Sequence, residues 1–355
     1  MSKLNIALIF GGHSLEHDIS IRSFKNVAAA LDPNKYNLFP IYITKDAGHW
    51  FLYDGNLNNL PENPEKFGTP VNFSTDKGTR GLYRIVGDKF KTLRIDVAFP
   101  VLHGNNGEDG TIQGLFEMAG IPYVGCGVLA SALAMDKSFA KIVTQHAGVP
   151  VTPYMVYHQS DEPDLETAAK DIKETLGFPC FVKPANGGSS VGISKVKTKK
   201  QLTEAFAEAF RCDSKLIVEK FIKAKEVECA VLETPEGLKV SQPGEIIVAA
   251  SGDFYGYEEK YHNPDSRTLI PAKISEEVAQ QISDYALTVF KAIGGKGLSR
   301  VDFFLESKTN QIYFNEINTL PGFTNISMYP ELAASMGYSY SDLLNILIES
   351  SLTHG

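Results

Sequence analysis

At 355 residues the chain is long enough for two or three domains rather than one small core. Its 43% hydrophobic and 21% charged residues are those of a soluble globular protein, and a formal net charge of −8 excludes a general nucleic-acid surface while leaving room for a local basic pocket around a polyanion. No apolar run approaches the roughly 20 residues that cross a bilayer, the opening MSKLNIALIF reads as a strand rather than a secretory leader, and the four cysteines (Cys126, Cys180, Cys212, Cys229), without C-x-x-C spacing, read as reduced thiols of a cytoplasmic protein.

In chain order, residues 5–10 predict a buried strand, followed by Gly11-Gly12. Residues 19–31 have helical periodicity and stop near Pro33. Strands follow at 36–44 and 96–102, the latter ending at His103-Gly104, and a helix at 110–119. This strand–helix–strand rhythm predicts a parallel α/β unit. Residues 45–93, rich in Gly, Pro, Asn and Lys, predict a hairpin-bearing insertion on its edge. A boundary falls near Ala134-Met135. Residues 136–147 predict a helix capped by Asp136 or a neighbour and stopped by Gly148 and Pro150. Strands at 179–183, 191–196 and 216–220 with a helix at 199–209 predict a small α+β lobe. Beyond it come strands at 226–232, 244–249, 297–305 and 311–318, flanked by helices at 276–293 and 340–351. The expected domains are therefore 1–134, 135–220 and 221–355.

Several segments carry polar groups at strand ends. KPANGGSSVG, 183–192, puts a lysine before a Gly/Ser loop, where backbone N–H groups can approach a phosphate; a plain hairpin turn reads equally well. No G-x-x-x-x-G-K-[ST] loop occurs. GCGVLA, 125–130, matches G-x-G-x-x-A weakly and lacks the acidic partner a dinucleotide site needs. His13 and His17 are four apart but have no third ligand, and read as turn residues. Glu16 and the loop HGNNGEDG, 103–110, fall near the carboxyl ends of parallel strands, where open sheets bind ligands. EKFI, 219–222, followed by Glu226, could offer edge N–H and C=O groups to adenine and a carboxylate to ribose. GDFYGYEEKYHNPDSR, 252–267, has no periodicity and reads as a lid or a surface loop.

RVDFFLESKTNQIYFNEINTLPG, 300–322, is the most informative stretch. Alternation places Arg300, Asp302 and Phe304 on one face of one strand, and Phe314, Glu316 and Asn318 on one face of the next. A turn centred near Thr309 sets Asp302 opposite Glu316 and Arg300 opposite Asn318, with Cβ atoms roughly 5 Å apart. Two carboxylates that close call for a cation, and hard oxygen donors suit magnesium beside phosphate. Alone, the segment also fits a half-solvated hairpin.

Taken in order, GGHSLEHDIS (11–20), LHGNNGEDGTIQG (102–114), MDK (135–137), FVKPANGGSSVG (181–192), EKFI…E (219–226), EEKY (258–261), SRVDFF (299–304) and NEINTLPGFTNIS (315–327) resemble the D-alanine–D-alanine ligases of the ATP-grasp superfamily. The resemblance spans nearly the whole chain. It implies an ATP-grasp fold of α/β and α+β class: an N-terminal parallel α/β domain, a small central lobe and a C-terminal mixed-sheet lobe. It implies D-alanine and ATP as partners, two magnesium (or manganese) ions, and a homodimer without nucleic-acid or membrane partners.

Residue by residue, the resemblance makes Lys137 and Lys183 phosphate-contacting lysines. Glu219, Lys220 and Ile222 become the adenine edge, Glu226 the ribose carboxylate, and Phe254 a further nucleotide contact on the lid. Asp302, Glu316 and Asn318 become the metal ligands. Lys260 reaches from the lid toward the γ-phosphate. Glu16, Ser189 and Tyr261 close over the substrates, with Glu16 near the first D-alanine's ammonium and His103 in the same pocket. Arg300 and the Gly322 N–H hold the tetrahedral intermediate, and Ser327 with the Met328 N–H seats the second D-alanine's carboxylate. Met328 stands where a leucine is frequent. Tyr261 favours D-alanine as second substrate over D-lactate; a D-serine or D-lactate ligase is the alternative within the superfamily, and a non-catalytic nucleotide sensor the alternative outside it.

Overall fold

The computed structural model describes residues 3–188, 190–247, 267–324 and 327–353. Three sheets organise them. The first holds β1 (Leu4–Gly11), β2 (Tyr36–Ile43), β3 (Trp50–Tyr53), β4 (Gly68–Phe73), β5 (Gly81–Val86), β6 (Lys89–Arg94) and β7 (Val97–Pro100), in the order β6-β5-β4-β3-β2-β1-β7. β1 runs parallel to both β2 and β7. The predicted insertion supplies β3 to β6, which extend the sheet antiparallel. A parallel strand is covered on both faces, and β1 shows it. Ile6, Leu8 and Phe10 enter one core cluster, Ala7 and Ile9 another. Helix α1 (His17–Ala30) follows β1; its Ser20 hydroxyl accepts from Gly11 N at 2.9 Å and donates to Val101 O at 2.7 Å, locking the β1 and β7 ends together.

Helices α2 (Thr111–Ala119) and α3 (Val128–Met135) lead to α4 (Lys137–His146). Asp136 caps α4, accepting from the N–H groups of Ser138 and Phe139. The second sheet is antiparallel, in the order β10-β9-β11-β8: β8 (Tyr154–His158), β9 (Cys180–Pro184), β10 (Ser194–Val196) and β11 (Lys215–Lys220). Helices α5 (Leu165–Thr175) and α6 (Leu202–Cys212) bury Ile172 and Phe206 against Val182 and Val218 on one face. The opposite face carries Lys183 and Glu219. β8 and α5 were not anticipated, although Asp164 as N-cap and the spacing of Leu165, Ala168, Ala169 and Ile172 carry the helical signal.

The third sheet runs β15-β14-β12-β16-β17, with β13 beside β12: β12 (Ala224–Thr234), β13 (Gly237–Val240), β14 (Gly244–Ile247), β15 (Arg267–Leu269), β16 (Leu298–Glu306) and β17 (Ile312–Asn318). Its named strand pairs are antiparallel; a lone parallel bridge joins Val151 to Phe314. Helix α7 (Glu276–Ala292) packs on Val227, Cys229, Val301 and Phe303. On the other face, Ala230, Leu232 and Leu298 join the core beneath α8 (Met328–Ser335) and α9 (Tyr340–Ser351), which also includes Leu8, Phe10 and Phe99 of the first sheet. One apolar cluster thus ties the first and third sheets together. Toward the other end of that same face of β12 and β16 the residues turn polar, and the site begins there.

Candidate active site

The hairpin of β16 and β17 pairs Arg300 with Asn318 and Asp302 with Glu316, as the alternation predicts. A register shift between Asp302 and Phe303 then sets Phe303 opposite Phe314. This bulge corrects one expectation. Phe314 does not share a face with Glu316; it is buried with Phe303, ring centroids 6.3 Å apart, on the α7 side. One extra residue in a strand inverts the alternation beyond it.

On the polar face, Arg300 Nε and Nη2 donate to Asp302 Oδ1 and Oδ2, each at 2.8 Å, and Asn318 Nδ2 donates to Asp302 Oδ2 at 3.0 Å. Burial disfavours the Arg300 charge, but the Asp302 and Glu228 carboxylates outweigh it and raise its pKa well above the usual value. The donors offered by Asp302, Glu316 and Asn318 are oxygens of two carboxylates and an amide, which fit magnesium or manganese rather than a soft metal. Among the described residues no group of three His, Cys, Asp or Glu forms a metal cluster. His13 hydrogen-bonds the Lys45 carbonyl and His17 the Gly12 carbonyl, so both are loop and helix-start residues, as their spacing suggested.

A cavity of about 510 Å³ opens over this face. Arg300, Glu316 and Asn318 of the third sheet, Glu16 and His103 from the loops after β1 and β7, Lys137 of α4, and Gly322, Ser327 and Met328 line it together. Lys137 Nζ donates to Gly187 O at 2.6 Å and lies 3.9 Å from Glu316. The Glu16 carboxylate is wedged between two glycine loops: a Cβ on Gly188 would lie 3.1 Å from its Oε2, and one on Gly104 closer still. His103 shares a hydrogen bond of 3.1 Å with Ser23, and burial lowers its pKa. Glu108 accepts from Gly104 N at 2.7 Å; burial, and next the Glu16 charge, push its carboxyl up to about 8. His103 and Glu108 share the cavity lining with Leu320, on the segment that leads to Gly322. Ser327 Oγ accepts from Thr324 N at 3.1 Å, at the start of α8.

Lys183, Glu219, Lys220, Ile222 and Glu226 lie outside this lining, along β9, β11, the link after β11 and the start of β12. Glu219 is buried and paired twice, with Lys183 at 2.7 Å and Lys141 at 3.1 Å. Burial alone would raise its pKa; the two lysines overcome that and bring it to about 2. Asp302 does not itself appear on the cavity wall, being covered by Arg300 and Asn318. Ser189, Phe254, Lys260 and Tyr261 lie outside the described residues, as does the expected lid up to residue 266.

Three site residues escaped the reading of the sequence. Lys141 stands four after Lys137, on the same helix face. Glu228 stands two after Glu226, on the same strand face. Glu108 lay inside a loop already singled out. Conversely, the close approach at Gly125 serves Leu320, whose Cδ2 a Cβ there would meet at 2.9 Å, rather than a dinucleotide.

Comparison with known proteins matches residues 5–126 to the family described as D-ala D-ala ligase N-terminus and residues 143–349 to D-ala D-ala ligase C-terminus. The D-alanine–D-alanine ligase of Caldicellulosiruptor bescii is 46% identical over 357 residues, covering 99% of this chain and 96% of that one. That of Heliobacterium modesticaldum is 46% identical over 353 residues, covering 99% and 95%. Among solved structures, the VanG D-Ala:D-Ser ligase from Enterococcus faecalis superposes with a TM-score of 0.88 at 40% identity, covering 99% of this chain and 100% of that one. The D-alanine–D-alanine ligase from Coxiella burnetii superposes with 0.84 at 35% identity, covering 100% and 95%.

Proposed function

Because the chain belongs to the D-alanine–D-alanine ligase family, we propose that the cavity over β16 and β17 is where it joins two D-alanines, using ATP, into the dipeptide of peptidoglycan precursors. The observation that supports this site is the meeting of Glu16, Lys137, Arg300, Glu316, Asn318, Gly322 and Ser327 from separate segments around one space of about 510 Å³.

A carboxylate is a poor acyl donor. The γ-phosphoryl group of ATP first passes to the carboxylate of one D-alanine, giving ADP and an acyl phosphate. The amine of a second D-alanine then attacks the carbonyl carbon, and the tetrahedral intermediate expels phosphate. In this scheme Glu16 faces the first substrate's ammonium. Lys137 and Lys183 contact the phosphates, while Lys183 and Lys141 also pair with the Glu219 carboxylate. Glu219, Lys220 and Ile222 offer the adenine edge and Glu226 the ribose contact. Arg300 and the Gly322 N–H face the developing oxyanion. Ser327 and the Met328 N–H sit at the positive end of α8, suited to the second substrate's carboxylate. Asp302, Glu316 and Asn318 would hold two magnesium (or manganese) ions, whose charge offsets that of the phosphoryl group in transfer. Ser189, Phe254, Lys260 and Tyr261 complete the scheme as lid and closure residues, on the family resemblance alone. The same resemblance makes the enzyme a cytoplasmic homodimer, which light scattering would check; among the described residues no helix is long and apolar enough to cross a membrane.

The test is mass spectrometry of products from ATP, magnesium and D-alanine mixed with equal D-serine and D-lactate. D-alanyl-D-alanine should dominate, with ADP and phosphate in equal amounts. Predominance of a D-serine or D-lactate product would overturn the choice of second substrate, and phosphate release without any ligation would overturn the ligase reading.

A further inference from the structure

On β12, Glu228 stands directly opposite Asp302 of β16, which stands opposite Glu316 of β17. Three carboxylates therefore cross three neighbouring strands in one row. Like charges opposed on a sheet repel unless a cation lies among them, and the resident cation is Arg300. Its Nε–H points at Asp302 Oδ1, 2.8 Å away, while Glu228 Oε2 lies 2.7 Å from the same nitrogen as an ion-pair partner. The Glu228 side chain is only 8% exposed and lines the cavity beside Arg300. Asp302 thus has two calls on it. Its oxygens serve Arg300 and Asn318, yet the proposed reaction also needs those oxygens for a metal ion. A carboxylate drawn toward a divalent cation gives up hydrogen-bond strength to a guanidinium, and a guanidinium left without an acceptor loses its orientation. Arginine's planar fork makes orientation the property that matters.

We propose that Glu228 is the positioning residue for Arg300: it is the acceptor to which the Nε–H turns when Asp302 engages metal, so that the guanidinium keeps facing the cavity. Glu228 touches neither substrate in this role. Its negative charge is needed as well as its shape, because only a carboxylate both accepts the Nε–H and balances the guanidinium where Asp302 no longer does. The inference rests on the ligase reading for what Arg300 is aimed at and for the metal at Asp302.

The experiment compares wild type with Glu228→Gln, which is isosteric, and with Glu228→Ala. In ¹⁵N NMR the Arg300 Nε–H resonance, assigned by its loss in Arg300→Lys, should be protected in all three proteins without metal. On adding magnesium and ADP it should persist in wild type and disappear into exchange with water in Glu228→Gln and Glu228→Ala. In turnover, kcat should fall on the order of 10-fold for Glu228→Gln and 100-fold for Glu228→Ala, with KM for ATP and D-alanine within about threefold. Persistence of the resonance in Glu228→Gln with magnesium and ADP, or a kcat within about threefold of wild type, overturns the proposal. Should Glu228→Ala fail to fold, Glu228→Gln decides alone. The NMR arm needs no turnover, so a wild type that makes no dipeptide yet shows the metal-dependent difference from Glu228→Gln would strike the ligase reading and leave the handover standing.

Discussion

A Cβ on Gly104 would overlap Glu16 Oε2. The glycine is therefore the space in which the Glu16 carboxylate sits, and its φ of +68° is one that other residues adopt at a penalty of about 1–2 kcal/mol. Gly104→Ala should lower stability by about that amount and, on the proposed scheme, push Glu16 off the first substrate's ammonium. Steady-state kinetics should show the KM of the first D-alanine rising on the order of tenfold, with the KM of ATP near wild type. Equal D-alanine affinity in mutant and wild type would remove Glu16 from substrate binding.

Lys141 is fully buried and is held by Glu219, by the Phe314 carbonyl at 3.4 Å and by the Phe314 ring. Lys141→Met leaves Glu219 with Lys183 alone. Breaking a buried pair from one side is destabilising by about 3 kcal/mol, to be read from urea midpoints. The acid limb should also move. Glu219 is depressed from 4.5 to about 2, so its contribution is complete above 4.5 and is lost as pH falls toward 2. With one lysine gone the depression shrinks, and acid unfolding should begin at higher pH. A mutant whose acid limb coincides with wild type would contradict this account.

Glu108 has the opposite sign. Its folded-state carboxyl is raised from 4.5 to about 8, so the folded state binds the extra proton between those values and stability falls as pH rises through that window. Glu108→Gln removes the titration while keeping an acceptor for Gly104 N. The mutant should equal wild type near pH 4 and exceed it by on the order of 1–3 kcal/mol near pH 8. Thermal melts across that range check it, and a constant difference between the two proteins would refute the raised carboxyl.

Gly322, whose N–H the proposed scheme aims at the oxyanion, also leaves room for Ser327. A Cβ on Gly322 would meet Ser327 Oγ at 2.8 Å, and moving that hydroxyl breaks its contacts with Thr324, at 3.1 Å to N and 2.7 Å to Oγ1. Gly322→Ala keeps the N–H, so acyl phosphate formation should survive while the second substrate's seat is disturbed. Trapping with hydroxylamine should run within about threefold of wild type, and dipeptide synthesis should fall about tenfold. If both fall together, the N–H itself has moved.

Much of the site was legible beforehand wherever the signal was local. The opposed register of Arg300 with Asn318 and Asp302 with Glu316 followed from alternation and the turn near Thr309, and the strands bear it out. The bulge that buries Phe314 was not legible, because the inserted residue is recognised only when both strands are seen paired. α8 was also missed: Met328–Ser335 is eight residues with Pro330 in its first turn, too short for periodicity to stand out.

Residue type and spacing along single elements settled that this chain has a parallel α/β start, a hairpin that juxtaposes carboxylates, and glycine loops at strand ends. Which residue meets which across the chain was settled only by the tertiary structure. Glu16 and Gly188, Lys183 and Glu219, and Arg300 and Glu228 come from segments far apart in the chain. Alternation sets which way a side chain points within its own strand. It carries no information about which distant strand or loop comes to lie alongside, because that is set by strand order and by how apolar faces such as those of Phe10, Leu232 and Leu343 close on one another.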